Sequence, residues 1–217
     1  MYKLFSSAAA MLAFSAIGFA QPKAAVDITK AQIDEVLKYA PPAVDQTLRV
    51  IDMGGYALSV AVIHRGPTGQ PAGGGGRGRG GAQGGGRAQA APPERCGLSA
   101  PPAGAKEGPA GMIAHDDTVE TYVIISGSGT LVTGGEVVNG VRSAPDSEVT
   151  KILNGPSCSG KVYGDFVSRK MNVGDISVIP AGVAHGWTDI TTEVTYLSIR
   201  PDPKKVLEHG YVNPHIK

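Results

Sequence analysis

Bulky apolar residues alternate with smaller or polar ones along much of the chain, which is the period of a β-strand. The clearest run covers residues 56–64, where the bulky positions are Tyr56, Leu58, Val60 and Val62. His64 ends this run in the same phase, so we expect it to share an inward-facing side with them. Together with residues 46–53, the run predicts a hairpin around Gly54-Gly55.

One segment has the helical period instead. From Ile33 onward, apolar residues recur at helical spacing behind Thr29 and Gln32, which fit a capping box. Pro41-Pro42 ends the pattern, because proline cannot continue a helix. A short amphipathic helix over about 29–40 is therefore predicted to pack across one face of a sheet.

Strand patterns resume after Gly111 and are separated by turns rich in glycine. They cover about 111–115, 120–126, 128–133, 160–169, 175–180, 184–189 and 192–200. Many short strands and one helix predict an all-β sandwich or barrel. The barrel would span residues 46–200, after a leader and short helix at 21–45 and before a surface tail at 201–217.

A glycine-rich segment interrupts the barrel pattern. Residues 66–93 contain 12 glycines and 4 prolines in 28 positions, so they cannot build a core, and we interpret residues 66–110 as a flexible insertion. Arg77, Arg79 and Arg87 lie within it as in RNA-binding segments, but three arginines are few. The formal net charge of the chain is +1, which argues against a nucleic-acid partner.

The first 20 residues have the pattern of a secretory signal peptide. Lys3 precedes an apolar run, and small residues occupy Gly18 and Ala20, at the −3 and −1 positions before Gln21. The alternative is a membrane anchor, but the run of about 17 residues is at the lower end of the spanning range. We expect a periplasmic or secreted protein with no stable membrane insertion after processing.

The two cysteines, Cys96 and Cys158, lie in loop-like surroundings. In an oxidising compartment they predict one disulfide, which would tie the end of the insertion to residues 154–160. The alternative is a pair of separate thiols.

Two segments place metal-ligand side chains beside tight turns. In the first, His115 and Glu120 have the spacing His-x4-Glu-x6-Gly. The second runs from Gly174 to Asp189 as Gly-x5-Pro-x-Gly-x2-His-x3-Asp and contains His185. Two histidines and one glutamate are a common ligand set for a divalent metal such as Fe, Mn, Zn or Ni.

These segments resemble the two motifs of the cupin superfamily, of the single-domain type-2 kind: Gly-x5-His-x-His-x3–4-Glu-x6-Gly and Gly-x5-Pro-x-Gly-x2-His-x3-Asn. The second motif matches except at its end, where Asp189 replaces asparagine. The first matches at His115, Glu120 and Gly127 but has Ile113 in place of its first histidine. The resemblance covers about residues 46–200 without the insertion, and it implies a jelly-roll β-barrel with a metal inside its mouth.

Carried over by position, the resemblance implies that His115, Glu120 and His185 bind the metal. Three arrangements are open for the missing fourth ligand. In the first, waters complete the shell; in the second, His64 replaces the missing histidine; in the third, the site holds no metal and binds a ligand through hydrogen bonds. By strand parity, Glu120 shares an apolar inward face with Tyr122. Tyr122 and Trp187 either line the pocket or belong to the core.

Two functions are consistent with a jelly-roll barrel that carries this ligand set. The first is an oxygenase-like or lyase-like metalloenzyme that acts on a small organic acid, phenol or sugar derivative. The second is a non-catalytic barrel that binds a small molecule or sugar at a degenerate metal site. Barrels of this family often dimerise, so a homodimer is a further expectation.

Overall fold

A computed structural model describes residues 22–40, 44–68 and 93–217. The predicted signal peptide, Pro41-Pro42 and the central part of the glycine-rich insertion lie outside the described residues. Within the described ranges, no helix has the length and apolar character needed to cross a membrane.

The described residues form ten strands, one α-helix and one π-helical turn. In chain order these are α1 (Lys30–Leu37), β1 (Asp45–Asp52), β2 (Ala57–Arg65), β3 (Arg95–Cys96), β4 (Met112–His115), β5 (Glu120–Gly127), β6 (Gly129–Arg142), the π-helical turn (Val149–Leu153), β7 (Ser157–Met171), β8 (Ile176–Ile179), β9 (His185–Thr188) and β10 (Val194–Asp202).

The strands make two five-stranded antiparallel sheets. One sheet has the order β1-β2-β10-β5-β8, and the other has the order β3-β6-β7-β4-β9, in which β9 also pairs with β6. Apolar side chains of both sheets meet between them, among them Ile63, Ile124, Leu131 and Tyr196. This arrangement is a jelly-roll β-barrel, and it confirms the predicted all-β class.

Helix α1 begins as the sequence predicts. The Thr29 hydroxyl accepts a hydrogen bond from the Gln32 backbone N–H, and the Gln32 side chain accepts one from the Thr29 N–H. Val36 is fully buried and packs with Leu48 and Val62. The helix therefore covers the outer face of β1 and β2.

The predicted orientation of β2 is wrong. Ala61 belongs to the cluster inside the barrel, whereas Val60 and Val62 pack against α1. Because α1 covers the outer face, β2 is apolar on both sides, and the alternation of bulk does not identify the interior. His64 shares the outer face, where its Nδ1 lies 2.8 Å from Thr195 Oγ1.

Strands β6 and β7 are longer than the predicted runs at 128–133 and 160–169 and pair with each other along most of their length. Their connection, residues 143–156, contains the π-helical turn, which the sequence pattern did not predict. Five residues are too few to show a helical period. The Thr47 hydroxyl donates to the Ile152 carbonyl at 2.9 Å, so this turn is attached to β1.

Residues 93–110, which were expected to belong to the flexible insertion, pair in part with the second sheet. Strand β3 lies beside β6, and Leu98 forms a bridge with Val138. Cys96 and Cys158 form a disulfide, which joins β3 to β7. This end of the predicted insertion is therefore part of the barrel wall.

The C-terminal tail covers one edge of the first sheet, because Val212 forms an antiparallel bridge with Arg49 of β1. At the opposite edge, Ile176 and Val178 of β8 are 61% and 64% exposed. An uncovered apolar edge is a feature of strands that pair with a second chain. The homodimer expected from the sequence stays a prediction.

Gly127, the last residue of the first motif, is predicted to tolerate no side chain. Its φ is +65°, and a Cβ would lie 2.0 Å from the backbone oxygen of Glu193. We expect Gly127→Ala to lower the free energy of unfolding by more than about 2 kcal/mol in urea denaturation. Gly55→Ala is the matched control, since no atom lies within 4 Å of its Cβ position. Equal effects of the two substitutions would contradict the prediction.

Candidate metal centre

Three strands bring the predicted ligands together inside the barrel. His115 ends β4, Glu120 begins β5 and His185 begins β9. All three side chains are buried, and their potential ligand atoms lie within 4.8 Å of one another. Along β5, Glu120 shares the inward face with Tyr122 and Ile124, as the alternation predicts.

The turn of the second motif holds β9 against β4. Gly182 has a φ of +80°, which glycine adopts readily, and its N–H donates to the His115 carbonyl at 2.7 Å. At the other end of β9, Asp189 has a φ of +51°, a region that asparagine and aspartate tolerate better than most residues. The replacement of the motif's asparagine by aspartate therefore preserves the local backbone. Together these turns fix the position of His185.

Hydrogen bonds fix the protonated nitrogen of His115. The Ser157 hydroxyl donates its single proton to the Gly155 carbonyl at 2.8 Å. It must therefore accept from His115 Nδ1, which lies 2.8 Å away. In the neutral imidazole, Nε2 then carries a lone pair, and this lone pair faces Glu120 Oε2 at 3.2 Å.

His185 has the same arrangement. Its Nδ1 lies 3.0 Å from the Val183 carbonyl oxygen, which can only accept a hydrogen bond. In the neutral imidazole, Nδ1 therefore carries the proton and Nε2 the lone pair. Nε2 lies 2.8 Å from Glu120 Oε2, yet it is a buried atom with no hydrogen-bond partner of acceptable geometry.

Three electron-pair donors thus converge on one point. Two neutral imidazole nitrogens and a carboxylate oxygen repel one another at these distances unless a proton or a cation lies between them. Buried polar atoms without partners are costly, and His185 Nε2 is one of them. The donor set of two imidazoles and one carboxylate fits a divalent transition metal.

The remaining contacts of Glu120 come from hydrogen-bond donors. Tyr122 donates its hydroxyl to Oε2 at 2.8 Å. Oε1 accepts from Ser198 Oγ at 3.0 Å and from Arg200 Nε at 2.6 Å. Oε1 is thus fully engaged, so Oε2 is the oxygen left to face the histidines.

Arg200 is itself buried and fully paired. Its Nη1 and Nη2 atoms donate to the two carboxylate oxygens of Asp45 at 3.2 and 2.6 Å. Nη1 also donates to the carbonyl of Leu153, the last residue of the π-helical turn, at 3.1 Å. One guanidinium therefore connects β10, β5, β1 and the 143–156 connection.

These surroundings set the protonation states of the site. Burial acts to raise the pKa of the Glu120 carboxyl, but the charge of the Arg200 guanidinium holds that pKa well below its usual range. Burial lowers the pKa of His115, which favours its neutral form. Burial and the neighbouring Glu120 charge raise the pKa of Tyr122 well above its usual range, so this phenol stays a hydrogen-bond donor.

The other predicted residues divide into two groups. Tyr122 and Trp187 are stacked, and Trp187 donates its Nε1–H to the Tyr196 hydroxyl at 3.1 Å, so both belong to an aromatic layer beside the ligands. His64 lies outside the cluster, and besides Thr195 it has Glu193 at 3.5 Å.

Five polar residues of the site were not predicted. They are Asp45, Asn154, Ser157, Ser198 and Arg200. The alternation of β10 contained a signal for two of them, because Ser198 and Arg200 share the inward face of Tyr196. No local pattern distinguished Asp45 or Asn154.

Comparison with known proteins gave distant structural likenesses. No protein-family model matches the chain, and no curated protein matches it. A double-stranded β-helix domain protein of Klebsiella pneumoniae is 14% identical, with a TM-score of 0.35 over 78% of this chain and 88% of that chain. A Bacillus halodurans protein is 12% identical, with a TM-score of 0.38 over 89% and 92%. A recombinant oxalate oxidase in complex with glycolate is 13% identical, with a TM-score of 0.32 over 76% and 54%. At TM-scores below 0.5, these likenesses say nothing about the chemistry of the site.

Removal of the Arg200 charge is predicted to destabilise the barrel strongly. Arg200→Met would leave the buried Glu120 carboxylate and Asp45 without their cation, so we expect a loss of about 3–5 kcal/mol in urea denaturation. Lys30→Met is the matched control, because Lys30 pairs with Asp34 on the exposed face of α1. We expect the control to change the free energy of unfolding very little. A similarly small loss for Arg200→Met would refute this account of the site.

Proposed function

We propose that the protein binds one divalent transition metal ion inside the barrel through His115 Nε2, His185 Nε2 and Glu120 Oε2. One observation carries the proposal: both imidazoles are hydrogen-bonded through Nδ1, so their Nε2 lone pairs converge on the same carboxylate oxygen. A cation relieves the repulsion among these donors. The motif resemblance supports the same ligand set.

The surrounding side chains support a site for small-molecule chemistry. Arg200 and Ser198 occupy Glu120 Oε1, so Oε2 alone would reach the metal. Three protein ligands leave coordination positions for a substrate, which is the arrangement of catalytic rather than structural sites. The bound metal would act as a Lewis acid or redox centre. We therefore propose a small-molecule metalloenzyme of oxygenase-like or lyase-like type.

A metal-free barrel that binds a small ligand is the second candidate. The observation that favours it is that Glu120 already accepts hydrogen bonds from Tyr122, Ser198 and Arg200. The carboxylate is therefore satisfied by the protein alone. The uncompensated Nε2 of His185 argues against this candidate, and metal content separates the two.

Metal content is predicted to depend on His185 of the proposed ligand set and not on His64. We expect about one equivalent of a transition metal in protein purified without chelators, measured by elemental mass spectrometry. His185→Ala should lose it. His64→Ala is the matched control, because His64 lies on the outer face of β2 against Thr195, and it should keep the metal.

Two results would overturn the metal proposal. One is a wild-type protein that holds no metal even after reconstitution, which would favour the metal-free barrel. The other is equal metal content in the wild type and His185→Ala, which would place any bound metal elsewhere.

We also propose that the chain is exported. The charged start, the apolar run and the small residues Gly18 and Ala20 support this proposal. The Cys96–Cys158 disulfide is typical of proteins that work outside the cytoplasm.

Processing is predicted to depend on the side chain at the −1 position. Expressed in a bacterium, the wild type should yield a mature chain that begins at Gln21, measured by intact mass. Ala20→Tyr should block cleavage, because signal peptidase sites require small residues there. Phe19→Tyr, at the neighbouring position, should be processed normally. A wild-type chain that keeps residues 1–20 would refute the export proposal.

A further inference from the structure

We infer that Asn154 supplies a fourth protein ligand, its amide oxygen, to the metal of this site. The inference rests on the proposed function and deepens it. The resemblance left the fourth position open, because Ile113 stands where the motif has its first histidine. In the structure Asn154 reaches the ligands from residues 143–156, which belong to neither motif.

The position of Asn154 carries the inference. Its side chain is buried, and Nδ2 lies 3.3 Å from His115 Nε2 and 3.4 Å from Glu120 Oε1. The amide therefore contacts two of the three proposed ligands. Its contact with His115 is to the nitrogen that bears the lone pair.

The backbone around Asn154 is held by the site itself. The preceding carbonyl, Leu153 O, accepts from Arg200, and the following one, Gly155 O, accepts from Ser157 Oγ. Ser157 in turn fixes the protonated nitrogen of His115. The residues next to Asn154 in the sequence thus hold the two groups that orient His115 and Glu120, namely Ser157 and Arg200. π-Helical turns such as the one before it are frequent at functional sites.

The chemistry of an amide suits both states of the site. With Nδ2 toward His115 and Glu120, the amide donates protons to two electron pairs, which is the arrangement expected without a cation. A half-turn about the Cβ–Cγ bond exchanges Nδ2 for Oδ1, so the oxygen then occupies the same place. A carboxamide oxygen is a ligand that Mn²⁺ and other hard cations accept.

The position of the missing histidine supports this assignment. Ile113 pairs with Ser159 of β7 and with His185 of β9, and its apolar side chain offers no ligand atom. His64, the alternative expected from the sequence, lies on the outer face of β2. Asn154 is a neutral polar side chain that contacts the cluster, so it takes the place in the ligand set that the motif gives to a histidine.

The test compares metal binding by the wild type, Asn154→Ala and Asn154→Asp. Mn²⁺ dissociation constants are measured by competition with a chelator, and the ligand field is measured from the visible absorption of the Co²⁺-substituted protein. We expect Asn154→Ala to weaken Mn²⁺ binding by about tenfold or more and to change the Co²⁺ spectrum. Asn154→Asp replaces a neutral oxygen ligand by a charged one, so it should bind Mn²⁺ more tightly than the wild type and change the Co²⁺ spectrum.

Asn213→Ala is the matched control. Asn213 is also a buried asparagine, but it donates to the Thr47 carbonyl at 2.9 Å, in the tail packed on β1. Its replacement should leave both the Mn²⁺ affinity and the Co²⁺ spectrum unchanged. Thermal unfolding of all variants shows whether a change in metal binding follows from loss of the fold.

The outcomes separate this inference from the proposed function. In one outcome, the wild type binds Mn²⁺ and Co²⁺, and His185→Ala binds neither. If Asn154→Ala then matches the wild type in affinity and spectrum, Asn154 is not a ligand, but the metal site itself is supported. If the wild type binds neither ion, the proposed function fails and this inference fails with it. If Asn154→Ala does not fold, Asn154→Asp decides: an unchanged affinity and an unchanged Co²⁺ spectrum would overturn the assignment.

Discussion

The buried guanidinium of Arg200 is the interaction on which the site depends. It joins Glu120 of β5, Asp45 of β1 and the Leu153 carbonyl of the π-helical turn. A buried charge costs much free energy unless charged or strongly polar partners surround it, and here each nitrogen has one. The pairing stabilises the Glu120 carboxylate while it leaves Oε2 directed at the histidines. The residue that stabilises the interior therefore also determines which oxygen is available to a metal.

Backbone contacts and hydrogen bonds fix the positions and orientations of the two histidines. The Gly182 N–H holds the His115 carbonyl, so the turn that starts β9 is attached to the end of β4. Carbonyl and hydroxyl partners then fix which nitrogen of each imidazole is protonated. These partners fix the orientation of each ring and the direction of its lone pair. Ring orientation and lone-pair direction determine how tightly such a site holds a metal. The motif residues thus supply the candidate ligand atoms. Their rings are oriented by Ser157, which lies outside both motifs, and by Val183, which lies within the second.

The sequence predicted the elements with strong local signals. The capping box at Thr29 and the inward face of Glu120 are examples, since a cap needs four residues and a strand face needs every second position. His64 was misplaced because α1 covers the outer face of β2, so both faces of that strand are apolar. Asp45 and Asn154 could not be predicted, because their roles arise from contacts with strands far away in the sequence. Arg200 was within reach, since an arginine on the inward face of an apolar strand requires a buried partner.

The charges of the interior are consistent with a neutral fourth ligand where the motif has its first histidine. The cluster of Glu120, Asp45 and Arg200 combines two carboxylates with one guanidinium, so its charge balance is negative and accommodates a cation. A neutral ligand such as imidazole or carboxamide leaves that balance unchanged, whereas a third carboxylate would shift it further. With Asn154 as the proposed fourth ligand, an amide stands where the motif has a histidine, so the charge is the same while the donor atom is oxygen instead of nitrogen. Because oxygen donors favour harder cations, the proposed ligand set would favour ions such as Mn²⁺ more than the motif's three histidines and one glutamate would.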